Sequence, residues 1–186
     1  QHLGRNTGFK MGMPLDDMVL WSPFRTMGGL TPEQVRQTKL ILWQGHCSVH
    51  TRFTVDQIKQ ARAANPAGKI IVHPECTLDV IQAADMNGST EFIARTIAAA
   101  PEGSAWGIGT EINLVTRLAK ENPGKTVFCL DPIVCPCATM YRIHPAYLLW
   151  VLEGLIAGLI INKVHITEPT RTDAHLALTR MLQIGG

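Results

Sequence analysis

Short apolar runs alternate with helical patterns along most of the chain. Each run has four or five residues, many of them β-branched or aromatic, which is typical of strands buried on both faces. The runs predict strands at residues 18–21, 40–43, 69–73, 105–109, 126–130 and 163–167. Between them, apolar residues recur three or four positions apart, which predicts helices. Because a repeated strand–helix order is typical of parallel sheets with right-handed crossovers, the pattern predicts an α/β fold with parallel sheets.

Capping residues mark where two of the helices begin. Thr31 is followed by Pro32 at the first helical position and by Glu33 in the first turn. Thr54 is followed three residues later by Gln57, which is the spacing of a capping box. We therefore expect helices to begin directly after Thr31 and Thr54.

Polar motifs follow four consecutive predicted strands. The motif QGHCSVH follows the strand at 40–43, and HPEC ends the strand at 69–73. GTE ends the strand at 105–109, and DPIVCPCATM follows the strand at 126–130. Because sites in parallel α/β folds form at the carboxyl ends of strands, these motifs predict one functional site.

The composition favours a globular protein. The chain is 46% hydrophobic and 17% charged, so it can bury a core. The net charge is +2 and no basic block is present, so we do not expect a nucleic-acid partner. The most apolar segment, residues 147–161, contains Glu153 and is shorter than the ~20 residues that span a bilayer. We expect a buried helix there and no membrane insertion.

Five cysteines occur among 186 residues, an odd number in a chain that is large enough to be stable without disulfides. Free thiols fit a reducing compartment such as the cytoplasm, where they bind metals or are buried. Cys129 lies inside an apolar run and is expected in the core. Cys47 lies between polar residues and is therefore a candidate metal ligand.

Two kinds of metal site fit the cysteine and histidine pattern. A zinc site would use Cys47, His50, His73 and Cys76. However, a predicted helix and strand separate His50 from His73, and a zinc site leaves Cys135 and Cys137 without a role. His50 could equally cap a turn or form a local hydrogen bond. Thiolates from separate strand ends suit an iron–sulfur cluster as well as they suit zinc.

Five motifs resemble, as a set and in this order, those of the quinolinate synthase family: WQGHCSVHTRFT, HPEC, GST, IGTEINLVTRLA and CATM. The resemblance covers the whole chain and implies three similar three-layer α/β/α domains around a pseudo-threefold axis. It implies a central [4Fe-4S] cluster with one cysteine ligand from each domain and one iron free to bind substrate. The implied reaction condenses iminosuccinate with dihydroxyacetone phosphate to give quinolinate in de novo NAD biosynthesis. L-aspartate oxidase would then be the supplier of iminosuccinate.

The resemblance also assigns the cysteines. It implies that Cys47 is the second cluster ligand and that Cys137 is the third, because Met140 follows Cys137 in register. Cys135 lies two residues earlier and is the alternative third ligand. We therefore expect Cys47 and Cys137 to approach each other, with Cys76 and Cys129 away from that point.

Four residues are implied to contact substrate: His73, Pro74, Glu75 and Thr90. Glu75 could transfer protons during dehydration and imine formation, and His73 could bind or orient the substrate. Thr90 follows Gly88 and Ser89 in a turn that could simply cap a helix, or could present N–H groups and hydroxyls to an anion. We expect His73, Glu75 and Thr90 to line one cleft that opens toward Cys47.

The resemblance divides the chain into three parts. Residues 1–46 would end the second domain, residues 47–136 would form the third, and residues 137–186 would pack on the first domain. The chain opens on QHLGRNTGF, which looks like a loop with no strand before it, and the first cluster cysteine would lie upstream. We therefore expect these 186 residues alone to be inactive, with apolar residues around Leu149, Trp150 and Leu152 uncovered.

Overall fold

The computed structural model describes residues 1–133 and 137–185 and shows an α/β protein with parallel sheets. The strands are β1 (Met18–Trp21), β2 (Leu40–Trp43), β3 (Lys69–Val72), β4 (Met86–Asn87), β5 (Ala105–Gly109) and β6 (Thr126–Cys129). The helices are α1 (His2–Lys10), α2 (Pro32–Gln37), α3 (Val55–Ala64), α4 (Leu78–Ala83), α5 (Thr90–Ala99), α6 (Ile112–Glu121), α7 (Pro145–Ile156) and α8 (Thr170–Gly185). The predicted fold class is confirmed.

The two predicted helix starts are also confirmed. The Thr31 side chain accepts a hydrogen bond from the Gln34 N–H, and the Gln34 side chain bonds back to the Thr31 N–H. Thr54 and Gln57 form the same capping box at the start of α3. A cap of this kind stabilises a helix by about 1 kcal/mol.

Two parallel sheets organise residues 1–138. One pairs β1 with β2, and the other has the strand order β4-β3-β5-β6. The chain therefore runs outward from β3 to β4 and then crosses to the other side of β3 to form β5. This reversal makes a switch point between the carboxyl ends of β3 and β5, where parallel α/β folds bind ligands.

Helices cover both faces of the four-stranded sheet. On one face, Ile58 of α3 and Val80 of α4 pack with Ile70 and Val72 of β3. On the other face, residues of α5 and α6 pack around Ile71 and Ile108. Full burial of such a side chain contributes about 1.5–3 kcal/mol. The result is a three-layer α/β/α unit.

The expectation of a loop at the start of the chain is wrong, since residues 2–10 form α1. Its glycines are needed for close packing against the first sheet. A Cβ at Gly4 would lie 2.7 Å from Leu42 Cδ2, and one at Gly8 would lie 2.8 Å from Met18 Cε. A sequence reading that takes glycine as a loop signal therefore misses a helix whose glycines face a sheet.

The strand expected at residues 163–167 is absent from the structure. A strand needs a neighbour to pair with its N–H and C=O groups, and no strand in the described residues pairs with this segment. Conversely, the sequence analysis missed β4, because two residues are too few to show a periodicity.

Residues 139–186 form a second compact unit that contains α7 and α8. The helix expected in the most apolar segment does form, but Gly154 is its one buried residue, so the prediction of a buried helix is wrong. Leu149, Trp150 and Leu152 are 56%, 51% and 48% exposed, as expected for uncovered apolar residues. Among the described residues, no helix combines the length and apolar character needed to cross a bilayer.

Candidate metal and substrate site

The candidate site lies at the switch point of the four-stranded sheet. His73 directly follows β3, and its N–H donates to Gly109 O at the end of β5 (2.9 Å). Thr110 is the first residue after β5. The sheet pairing therefore brings the HPEC and GTE motifs side by side, as sites at strand ends require.

The HPEC segment is a turn held from two sides. The Cys76 N–H donates to His73 O (3.0 Å) within the turn. From helix α1, the buried Asn6 side chain donates through Nδ2 to Pro74 O (2.8 Å) and Cys76 O (2.7 Å). Because these two carbonyls flank Glu75, the backbone of that residue is fixed on both sides.

His50 lies against two residues of this turn, His73 and Glu75. Its ring stacks on that of His73, with 4.3 Å between the centroids and 17° between the planes. Its Nδ1 lies 2.9 Å from Glu75 Oε2, whereas His73 Nδ1 lies 3.9 Å from the same oxygen. On the other edge, His50 Nε2 is 3.2 Å from Thr110 Oγ1. Glu75 therefore has two imidazoles beside one carboxylate oxygen.

The approach of Glu75 to His50 is close but poorly aligned. No hydrogen bond of good geometry reaches the buried His50 Nδ1 from the described residues. The contact at 2.9 Å is therefore mainly electrostatic. Ligand atoms of Cys47, His50 and Glu75 lie within 4.8 Å of one another, so these three residues could share a metal ion.

Cys47 and Glu75 also line one cavity of about 320 Å³. Its wall includes His2 of α1 and His46. The Glu75 side chain is 35% exposed, so its carboxylate can reach a molecule in the cavity. His73 and Thr90 do not line this cavity, so the expected cleft shared by His73, Glu75 and Thr90 stays a prediction.

All four substrate candidates, His73, Pro74, Glu75 and Thr90, stay predictions. Thr90 is exposed and opens α5, next to Ser89, whose side chain accepts the Phe92 N–H as the helix cap. Since β4 pairs with β3, this helix start lies beside the strand that leads into His73. Pro74 contributes its carbonyl to the contact with Asn6, so its visible role is in the turn.

The cysteines occupy different environments. Cys76 is fully buried and its thiol donates to Gly109 O (3.7 Å). Burial raises the pKa of Cys76 to about 12, and burial also raises the pKa of Cys129. Cys47, Cys129 and Cys137 are half-buried and pack against the same core cluster, which also contains Cys76. The expected approach of Cys47 to Cys137, with Cys76 and Cys129 away from that point, stays a prediction. Cys135, the alternative ligand, lies outside the described residues.

The zinc site is not favoured by this arrangement. The fully buried Cys76 thiol donates to Gly109 O, and among the described residues neither Cys76 nor His73 belongs to the group whose ligand atoms lie within 4.8 Å of one another. The third atom that joins Cys47 and His50 comes from Glu75, a residue outside the proposed zinc set.

We expect Cys76 to resist alkylation in the folded, metal-free protein, because its thiol is buried and protonated. Iodoacetamide at about neutral pH should modify Cys47 first, and Cys76 should react only in denaturant. Mass spectrometry of the digested protein measures both sites. Equal modification of Cys76 and Cys47 in the folded state would contradict the placement of Cys76 in the core.

Burial lowers the pKa values of His50 and His73, although Glu75 opposes the shift at both. As the pH falls below about 6.5, an unfolded histidine takes up a proton that these buried rings resist. We therefore expect the free energy of unfolding of the metal-free protein to fall from about pH 6.5 downward. Urea unfolding of the wild type and His73→Gln measures this effect, and the variant should show the weaker pH dependence. An unchanged pH dependence in His73→Gln would show that the ring is not held neutral.

The sequence analysis missed Asn6 and Thr110 as parts of this site. It also missed the contacts of His50 with Glu75 and Thr110. Asn6 was assigned to a loop, and the contact of Thr110 with His50 spans 60 residues. The GTE motif was noted at a strand end, but only the order of the strands puts it beside HPEC.

Taken together, these features define an α/β protein whose cysteine, histidine and glutamate side chains converge at a sheet switch point. The family profile of the quinolinate synthetase A protein matches residues 10–183. A relative named quinolinate synthase from Corynebacterium glutamicum is 54% identical over 99% of this chain. Another, from a Nocardioides species, is 54% identical over 100% of this chain. That of Herpetosiphon aurantiacus is 51% identical over 100% of this chain. The chain belongs to the quinolinate synthase family.

The matches cover 47%, 48% and 50% of the three relatives, so the chain spans about half the length of the curated relatives it matches.

Proposed function

We propose that this chain provides part of the active site of a quinolinate synthase, which condenses iminosuccinate with dihydroxyacetone phosphate in NAD biosynthesis. The observation that carries the proposal is the convergence of Cys47, His50 and Glu75 ligand atoms within 4.8 Å, in a member of this family. L-aspartate oxidase would supply the iminosuccinate. The free thiols of the described cysteines agree with a cytoplasmic enzyme.

Two of the described cysteines, Cys47 and Cys137, suit the role of ligands to a [4Fe-4S] cluster. Cys47 and Cys137 come from separate segments and are half-buried rather than enclosed, on a core cluster that also includes Cys76 and Cys129. Soft thiolates are the ligands that such clusters use. We assign Cys47 and Cys137 as ligands, with Cys135 as the alternative to Cys137. A bound cluster would supply an iron that acts as a Lewis acid toward hydroxyl and carboxylate groups.

Glu75 is the proposed proton-transfer residue. Its carboxylate faces the cavity that Cys47 lines, and its backbone is fixed by Asn6. Dehydration and imine formation both require a group that gives and takes protons. The Nδ1 atoms of His50 and His73 lie 2.9 and 3.9 Å from Oε2, so these two imidazoles are the side chains with which Glu75 could exchange protons.

His73 is proposed to orient substrate, and Thr90 to bind it. The His73 side chain is 17% exposed, and its stacking on His50 restricts the ring. Thr90 opens α5, where free N–H groups and hydroxyls favour the carboxylates of a diacid. Pro74 would set the chain direction between His73 and Glu75.

The domain assignment belongs to the same proposal. Strands β1 and β2 lie within residues 1–46, and β3 to β6 lie within residues 47–136, in two separate sheets. Residues 137–186 would pack on the first of three pseudo-threefold domains in the complete protein. The exposed Leu149, Trp150 and Leu152 support such a packing role, since groups of exposed apolar residues usually mark an interface.

The proposal is tested by quinolinate formation. The complete protein is reconstituted with iron and sulfide without oxygen, supplied with both substrates, and assayed by mass spectrometry of the product. We expect quinolinate from the complete protein and none from the isolated 186 residues. No product from a cluster-loaded complete protein would refute the function, and product from the isolated residues would refute the domain assignment.

A further inference from the structure

We propose that Thr110 is a positioning residue whose hydroxyl helps to hold the His50 ring in place, with Nδ1 toward Glu75. This inference rests on the proposed function, since it assumes that His50 and Glu75 act in the site. It gives the GTE motif a role that differs from metal binding and from substrate contact.

The contact between the two side chains is enclosed. Thr110 is 2% exposed and His50 is 7% exposed, and Thr110 Oγ1 lies 3.2 Å from His50 Nε2. Water has little access to either atom, so a lost partner would leave a buried polar group unsatisfied. The Thr110 hydroxyl has no other hydrogen-bond partner within residues 1–133 and 137–185.

The hydroxyl adds a second preference for one of the two ring orientations of His50, beside the approach of Glu75 to Nδ1. A half-turn about the Cβ–Cγ bond exchanges Nδ1 for a C–H group but keeps the ring plane. The stack on His73 depends on the ring plane and therefore allows both orientations. The approach of Glu75 to Nδ1 at 2.9 Å favours the observed orientation, but it lacks the geometry of a well-formed hydrogen bond.

A hydrogen bond at Nε2 is directional, and it is lost when the ring turns. Thr110 can serve both protonation states of that nitrogen, because a hydroxyl donates to a bare ring nitrogen and accepts from a protonated one. Thr110 would therefore keep Nδ1 toward Glu75 whichever ring nitrogen carries the proton.

The backbone gives Thr110 a fixed position from which to act. It follows β5 directly, and the end of β5 is tied to His73 by the bond from His73 N–H to Gly109 O. The next residue, Glu111, caps α6 by accepting the Asn113 N–H (2.8 Å). The hydroxyl is thus carried by a strand end and a helix start, which are more rigid than a free loop.

The test uses the complete, cluster-loaded protein with Thr110→Val, Thr110→Ser and a matched control, Thr116→Val. Valine keeps the shape of threonine without the hydroxyl, serine keeps the hydroxyl, and Thr116 is exposed on α6. We expect Thr110→Val to lower kcat by about 10–100-fold, the range for residues that orient a site histidine. Thr110→Ser should keep most of the activity, and Thr116→Val should match the wild type. Similar melting temperatures would show that the variants are folded.

Long-range ¹H–¹⁵N NMR of the metal-free protein gives a second readout. The His50 Nε2 resonance should move in Thr110→Val and stay near its wild-type position in Thr110→Ser. If Thr110→Val does not fold, Thr110→Cys replaces it, since a thiol is a much weaker hydrogen-bond partner than a hydroxyl.

The inference would be overturned if Thr110→Val were as active as Thr116→Val, or if the Nε2 resonance were unaffected by loss of the hydroxyl. An equal loss of kcat in Thr110→Val and Thr110→Ser would also overturn it, because serine retains the hydroxyl. If the complete wild-type protein makes no quinolinate, the proposed function fails, and the NMR comparison still decides whether Thr110 holds His50.

Discussion

Replacement of Cys47 by serine is expected to remove the bound cluster and quinolinate formation from the complete protein. The Cys47 thiol lies at the cavity, within 4.8 Å of ligand atoms of His50 and Glu75. Serine has nearly the same size but does not supply a soft thiolate at neutral pH. Iron and sulfide content and visible absorbance measure the cluster, and product formation measures the activity.

Cys76→Ala is the matched control for this experiment. Cys76 is fully buried and bonded to Gly109 O, so its replacement should lower stability but retain the cluster. Loss of metal from both Cys76→Ala and Cys47→Ser would favour the zinc set, which contains both cysteines. A normal cluster in Cys47→Ser would refute the assignment of Cys47 as a ligand.

Glu75→Gln is expected to lower kcat by about 10²–10⁴-fold, which is the usual contribution of a general acid or base. Glutamine keeps the size and the carbonyl oxygen of the side chain but does not accept and release a proton at neutral pH. The cluster content should stay close to that of the wild type, because the residues assigned as cluster ligands are cysteines and Glu75 is not among them. Steady-state kinetics with separate determination of kcat and KM measures the effect.

Glu33→Gln provides the control for charge loss alone. Glu33 is exposed on α2 and pairs with Arg36 at 2.6 Å, and exposed pairs of this kind contribute about 0–1 kcal/mol. Its replacement should leave both kcat and stability nearly unchanged. A Glu75→Gln variant as active as Glu33→Gln would remove Glu75 from the proton-transfer role.

Much of the fold was predictable because its causes are local. The strands at residues 18–21, 40–43 and 105–109 were predicted at their observed bounds, and the observed β3 and β6 each end one residue before the predicted end. Apolar periodicity and capping residues act over a few positions, so the sequence alone determines them. The same local signals determined that polar motifs follow four of the strands, and hence where along the chain to look for a site.

The tertiary structure alone decided which of those motifs meet. The order β4-β3-β5-β6 places Thr110 beside His73, and helix packing brings Asn6 to the turn around Glu75. It also decided that Gly4 and Gly8 belong to a helix and that residues 163–167 form no strand. The physical reason is that strand pairing, close packing and burial depend on residues far apart in the chain, whereas sequence patterns report on near neighbours. The sequence determines the chemical groups of Cys47, His50 and Glu75. Their placement within 4.8 Å of one another is a property of the folded chain.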